Sequence, residues 1–285
     1  MQRMTTEDAA PAGPAGLAAA VYAPAWRVVI AALRVQSRAG LLFVLALLNF
    51  PYVEMTPFIL FRAVAVVAAL PGLAAWLLER AFAARVAVGR TLLVVQARGE
   101  RIEIPRDAVA ATEPWRVPLP RAGLTLRLRS GRRIALALDD PGALIDRLGM
   151  DAGRAYPVVA WAAARAPRAA GGWQRPLVRY PLFGLVPGAI LFRTHQWIAY
   201  GGTFGQYYLL GLRAYIGTFA VYWATVAVYL VIWGNVWRLV AEAVTLAGTY
   251  TAPGRAVSLR RGAERAWTFL YYGGALLILL GRLLP

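Results

Sequence analysis

The chain has 285 residues, 59% of them hydrophobic, a mean hydropathy of +0.53 and a formal charge of +17. That apolar content exceeds what a soluble globular domain carries. The absence of Cys excludes disulfides, iron–sulfur clusters and thiolate zinc sites, and a single His, His195, excludes a bis-histidine haem within one chain, so no metal or cofactor is expected.

Residues 1–38 read as an N-terminal tail followed by an interfacial helix. The first half is rich in Ala, Pro and Gly, and the first 26 residues lack the basic-then-apolar order of a signal peptide, so no cleavage is expected. Over residues 26–38 a helical wheel gathers Arg27, Arg34 and Arg38 on one face and Trp26, Val29, Ile30 and Leu33 on another. That pattern predicts a basic face lying on a membrane surface; the alternative is an extension of the first span. Residues 39–82 follow as a transmembrane hairpin. Its first span, 39–52, is short for a hydrocarbon core of about 30 Å unless it starts earlier. Pro51 and Pro57 frame a turn, and the second span, 57–78, carries Pro71 as a kink.

The period then changes. Residues 86–88, 91–96, 101–104, 124–129 and 132–138 read as five strands, several alternating apolar with polar. Gly89-Arg90 and Ser130-Gly131 sit at hairpin turns, and Asp139-Asp140-Pro141 opens a helix running to Leu148. Residues 83–150 thus form a small antiparallel β domain closed by a short helix, with 151–176 as a linker.

The C-terminal bundle, 177–285, offers spans at 177–200, 214–237 and 266–284, with 238–247 as an amphipathic continuation of the middle one. Between the first two lies the Gly- and aromatic-rich stretch 201–208. The fold class is therefore a membrane α-helical bundle of about five transmembrane helices with an inserted β domain. Orientation follows from Arg placement. Arg34, Arg38, Arg80, Arg85, Arg175, Arg179, Arg255, Arg260, Arg261 and Arg265 fall on one side of a five-span arrangement, and the loops 52–56 and 201–212 hold none. The N-terminus and β domain are expected in the cytoplasm and the C-terminus outside, in a bacterial inner membrane. All 31 basic residues are Arg, which together with the Ala and Gly content suggests a GC-rich genome more than phosphate recognition. A basic surface beside apolar spans is drawn to anionic lipid headgroups. Nucleic acid is not needed to explain it.

The strand ending Ile102-Glu-Ile104-Pro105, the hairpin Gly123-Leu-Thr-Leu-Arg-Leu-Arg-Ser-Gly131 and the helix opened by Asp140-Pro141 with Leu144 and Leu148 resemble the bacterial pleckstrin-homology-like domains of integral membrane proteins. The resemblance covers about residues 85–149. It implies a β-barrel-like adaptor for protein or lipid contact, with no catalytic residues in common. The full fold of that family has seven strands, so five imply a reduced domain.

One constellation carries a different reading. Helix geometry puts Arg62 about 8 Å below the outer surface and Arg193 about 20 Å up from the cytoplasmic side. His195, Gln196 and Tyr200 lie just above, and Glu54 stands in the adjacent turn. Such a cluster suits an anionic headgroup, with His195 moving a proton; the plain alternative is Arg side chains that snorkel separately or pair with Glu54. The aromatic stripe Tyr215, Phe219, Tyr222, Tyr229, Trp233 and Trp237 reads as helix packing, with a lipid or quinone groove as the other reading. Gly184-xxx-Gly188 permits close backbone approach.

Two functions follow. The first is a non-enzymatic inner-membrane protein that scaffolds, assembles or regulates a membrane complex through its β domain, with a protein partner and room for a homo-oligomer. The second is a lipid-handling enzyme or transporter using the Arg62 and Arg193 cluster. No carboxylate sits in a predicted membrane core and no phosphate-binding loop is present, which disfavours proton pumping and kinase chemistry.

Overall fold

The computed structural model describes residues 16–50, 52, 54–150, 156–165 and 175–283. The expectations for residues 1–15, for Pro51 and for most of the 151–176 linker lie outside them. Two compact units emerge. One holds residues 1–35, 72–166 and 243–262, and the other 36–71, 167–242 and 263–285.

The first unit is built on a curled sheet of seven antiparallel strands: β1 (Leu17–Val21), β2 (Ala83–Val88), β3 (Leu92–Ala97), β4 (Glu100–Pro105), β5 (Val109–Pro114), β6 (Gly123–Leu128) and β7 (Arg133–Leu138). Their order is β4-β3-β2-β1-β7-β6-β5. The five expected strands are all present, shifted by a few residues at most. Two more were not foreseen. β5 has weak alternation, a register shift between Val109 and Ala111, and a terminal Pro114. β1 occupies the centre of the sheet, pairing Ala19 with Ala84 of β2 and with Leu138 of β7. The expected tail thus supplies the central strand.

In β1, Leu-Ala-Ala-Ala-Val, Ala19 and Ala20 are buried on opposite faces, while Ala18 is exposed. Ala19 faces the main core with Leu93, Leu124, Leu126, Leu136, Leu144 and Ile145, all fully buried or nearly so. Ala20 faces the opposite way, into a second cluster with Tyr22, Ile30, Ala75, Trp115 and Ala137. A strand covered on both sides loses the alternation that marks a half-buried one.

The second cluster is formed by the stems of two helices, α1 (Pro24–Leu48) and α2 (Pro57–Ala81). They are inserted between β1 and β2, and the backbone N–H of Val21 donates to the carbonyl of Phe82, so the chain leaves and re-enters the sheet at one point. α1 is one continuous helix, merging the expected interfacial segment with the first span. The span starts earlier than its apolar core, which removes the shortfall in length. Its 25 residues reach about 37 Å.

After β7, α3 (Pro141–Leu148) forms as its signals require. Asp140 accepts from the Ala143 N–H, Pro141 occupies the first turn, and Gly149 ends the helix at φ 69°. The expected linker contains a further helix, α4 (Pro157–Arg165), whose Val158, Trp161 and Ala162 bury against Ala122 with Leu246 alongside.

The second unit is helical. α5 (Phe183–Tyr200) is preceded by a π turn, Val178–Leu182. α6 (Gly205–Thr251) breaks at Gly211, where φ 82° and ψ 173° separate a short first turn from a long helix, and α7 (Ala256–Leu283) ends the described chain. From residue 212 onward α6 would extend about 60 Å, twice a hydrocarbon core. Its last residues, 243–251, accordingly group with the first unit. Gly184 and Gly188 seat α5 on α6: a Cβ at Gly188 would lie 3.1 Å from the Trp223 Cα.

Among the described residues, three helices are long and apolar enough to cross a membrane: α1, α2 and α6. α5 and α7 are not among them, within the described residues. The former carries Arg193, Thr194, His195 and Gln196 within it, and the latter opens with Arg260, Arg261, Glu264 and Arg265.

α1 and α2 also meet in the second unit, at a site shaped by Pro71. Proline lacks the N–H that would bond the carbonyl four residues back, and its ring crowds that carbonyl. α2 widens into a π turn at Ala65–Ala69 just before it, so the expected kink is relieved as a bulge. Ser37 donates to the Ala68 carbonyl at 2.8 Å, and a Cβ at Gly40 would overlap the Val67 carbonyl oxygen. Gly40→Ala is therefore expected to cost about 1–3 kcal/mol by overpacking, lowering the thermal midpoint of the detergent-solubilised protein followed by size exclusion. Gly217→Ala, where a Cβ would meet nothing within 4 Å, should not lower it.

Candidate functional site

Three polar constellations stand out, and each engages residues singled out above. The first surrounds the point where the chain leaves the sheet. Arg27 lies over the Trp115 ring at 3.5 Å and donates through Nε to the Leu119 carbonyl. Arg34 makes a two-pronged ion pair with Glu79, at 2.9 and 2.6 Å. Arg38 also has a partner, and its carbonyl accepts from Asn235. The expected membrane-surface face of Arg27, Arg34 and Arg38 is thus engaged within the fold. The reason is local: α1 packs against α2 and the sheet through Ile30 and Leu33, and the half-buried Arg27 and Arg34 beside that contact reach Trp115, Leu119 and Glu79. Tyr22, beside this junction and edge-on to Phe82 at 5.7 Å, has a phenol that burial, reinforced by the Glu79 charge, pushes up to about 12. Its folded pKa lies above its ordinary 10.0, so the stabilisation from keeping it neutral is full below pH 10 and is lost as pH rises through about 12.

The second constellation closes the turn between α5 and α6. Gln196, fully buried, donates to the Gln206 side-chain oxygen at 2.7 Å and accepts the Gln206 backbone N–H at 3.3 Å; Gln206 in turn donates to Thr218 at 2.8 Å. This ladder satisfies amides that would otherwise be stranded in an apolar bundle. His195 sits among rings, 5.3 Å from Tyr222 and 6.0 Å from Tyr200. Phe192 packs edge-on against Tyr215 at 4.9 Å and Phe219 at 5.5 Å, so the aromatic stripe serves helix packing there. Arg62, Arg193 and Glu54 are exposed. Among the described residues no ion pair joins Glu54 to Arg62 or Arg193. Of the proposed headgroup cluster, the structure brings together His195 and Tyr200, and commits Gln196 to the helix turn.

The third was not anticipated beyond its place in the Arg count. Arg179, in the π turn before α5, is 95% buried, being 5% exposed. Its guanidinium carbon lies 3.8 Å from the Trp267 ring centroid, with Tyr271 at 5.8 Å and Tyr180 at 6.0 Å. Tyr271, whose hydroxyl donates to the Arg179 carbonyl, and Trp267, whose indole donates to the Gly234 carbonyl, anchor these walls. A sequence signal existed: Arg179, Tyr180 and Pro181 adjoin, and Trp267 and Tyr271 are one helical turn apart. Their meeting depends on tertiary packing.

The β domain also exposes Arg127, Arg129, Arg132 and Arg133 around the β6–β7 hairpin. Arg127 and Arg133 are direct cross-strand partners, with Glu113 at 3.9 Å from Arg127. Like charges placed opposite each other oppose pairing.

Comparison of the chain with protein-family models, with curated proteins and with solved structures gives no match.

The geometry separates the two roles offered for the α5 residues. Gln196→Leu leaves the Gln206 amide without its partner and is expected to destabilise by about 1–2 kcal/mol, read as a lower thermal midpoint in detergent. Arg193→Ala should shift that midpoint little, because its side chain is exposed.

Proposed function

We propose that this protein is a non-enzymatic component of a bacterial inner-membrane complex, whose β domain lies in the cytoplasm and binds an acidic protein partner. The observation that carries this is the curled antiparallel sheet, two meanders (β1 to β4 and β5 to β7) joined by the β1–β7 pair and followed by α3, with the seven strands that the pleckstrin-homology-like resemblance implies. That domain is joined to helices suited to lipid at β1–β2. The exposed arginines of the β6–β7 hairpin supply the binding chemistry. Among the described residues their one ion pair is that of Arg127 with Glu113, at 3.9 Å.

The proposed topology has five crossings, with the N-terminus inside and the C-terminus outside. Strand pairing supports it independently of charge. β1 and β2 belong to one sheet and hence to one side of the membrane, so the α1 and α2 excursion between them must cross twice or not at all. The end of α6 likewise groups with the sheet, since the Tyr250 hydroxyl donates to the Arg116 carbonyl and Leu246 packs with Ala122 and Trp161. That supports α5 and α6 as a second out-and-back pair, leaving α7 as the single last crossing. The alternative, a lipid-handling site at Arg62 and Arg193, gains no comparable support.

Alkaline phosphatase fused after Leu283 is expected to be active and the same fusion after Gly149 inactive; the reverse would overturn the orientation. Affinity capture of the full chain in mild detergent should recover a partner that is lost when Arg127, Arg129 and Arg133 are changed together to Glu, with unaltered elution on size exclusion. Undiminished recovery by that folded variant would remove the hairpin's role.

A further inference from the structure

We propose that Arg179 is the cation of a buried anion-binding site, taking a phosphate or similarly charged oxyanion against a wall of Trp267, Tyr271 and Tyr180. The argument begins with a missing counter-charge. A guanidinium withdrawn from water loses its hydration and is retained only where something replaces it. Here the aromatic faces replace part: Trp267 lies under the guanidinium at 3.8 Å, in the range of a cation–π contact. Stacking satisfies the flat face of the group and leaves its edge, where all five N–H donors lie in the plane. Nε is fully enclosed and has no hydrogen-bond acceptor, and among the described residues no carboxylate forms an ion pair with Arg179.

A second enclosed donor without an acceptor belongs to the same aromatic cluster. The indole N–H of Trp237 is buried and unpartnered, and its ring packs edge-on against Trp233 at 5.5 Å. Trp233 donates to the carbonyl of Tyr271, one of the walls around Arg179. The neighbouring indoles, Trp233 and Trp267, both reach carbonyls. Among the described residues the buried side-chain atoms without a partner are those of Tyr22, Trp161, Arg179 and Trp237, and Arg179 Nε is the charged one. A ligand that offers several anionic oxygens matches it, and a neutral or cationic ligand does not. The site is separate from the proposed hairpin contact and does not depend on it.

The source of the oxyanion can be a lipid headgroup or free phosphate, and the test distinguishes them. The full chain, delipidated in a zwitterionic detergent, would be titrated with short-chain phosphatidic acid, short-chain phosphatidylglycerol, short-chain phosphatidylcholine and inorganic phosphate, with tryptophan fluorescence as the signal. Saturable quenching by phosphatidic acid or phosphatidylglycerol, but not by phosphate, assigns a lipid; quenching by phosphate assigns the free ion. In either case Arg179→Gln should weaken binding by about 30-fold or more. Because that variant removes a buried group and can compromise folding, Trp267→Phe provides a second arm. It keeps an aromatic face, so affinity measured by equilibrium dialysis should persist within about tenfold while most of the fluorescence change disappears. No saturable binding of any anionic probe to the wild type, equal binding by phosphatidylcholine, unchanged affinity in folded Arg179→Gln, or a full signal in Trp267→Phe would each overturn the proposal.

Discussion

The pairing of β1 with β2 constrains most of the molecule. These strands are neighbours in the sheet, yet the chain between them contains α1, a turn and α2. Closing so long a loop costs more entropy than a tight hairpin does, although the cost grows only slowly with length. The sheet offsets it with two ladders, since β1 bonds β2 on one side and β7 on the other. Packing follows from the same pairing. Because both helices leave and return at one point, their stems cover the outer face of β1 and β7, and that face carries Ala20, Ala135 and Ala137. Larger side chains there would push the stems away from the strands.

A second regularity concerns the backbone of the helices. Pro71 and Pro181 each remove a donor from an α-helical ladder, and a π turn accompanies both. In lipid a freed carbonyl has no water to turn to. Side chains from neighbouring helices supply donors at both places: Ser37 to Ala68 in the first, Trp223 to Pro181 and Tyr271 to Arg179 in the second. These contacts double as helix-to-helix ties, which matters where lipid removes the hydrophobic drive for helices to associate. The π turns are thus points of attachment.

What was legible in the sequence was whatever a local rule writes. Alternation marked β4 and β6, an apolar run marked β3, and the Asp140-Pro141 cap fixed α3. Charge and Pro/Gly punctuation located the helical segments. What escaped was decided by partners distant in sequence. Three alanines in a row favour a helix by propensity, and only the flanking strands make residues 17–21 a strand. α4 looked like linker because its burial depends on Ala122 and Leu246. The helical wheel of residues 26–38 was drawn correctly and its basic face assigned to lipid, because nothing local announces that Glu79 and Trp115 will come to meet it.

The fate of individual arginines bears on how a charge of +17 should be understood. Summed, it suggests a uniformly basic surface seeking anions. Resolved by residue, it divides. Arg27 and Arg34 are held by an indole, a carbonyl and a carboxylate at the base of the helical pair, so they contribute rigidity and little external field. Arg127, Arg129, Arg132 and Arg133 stand in solvent and provide attraction that salt would screen within about 10 Å. Arg179 belongs to neither group. It is buried where the first two are half-buried, and its Nε has no acceptor. In a medium where an unpaired charge is costly, that difference bears more on Arg179 than the total charge does.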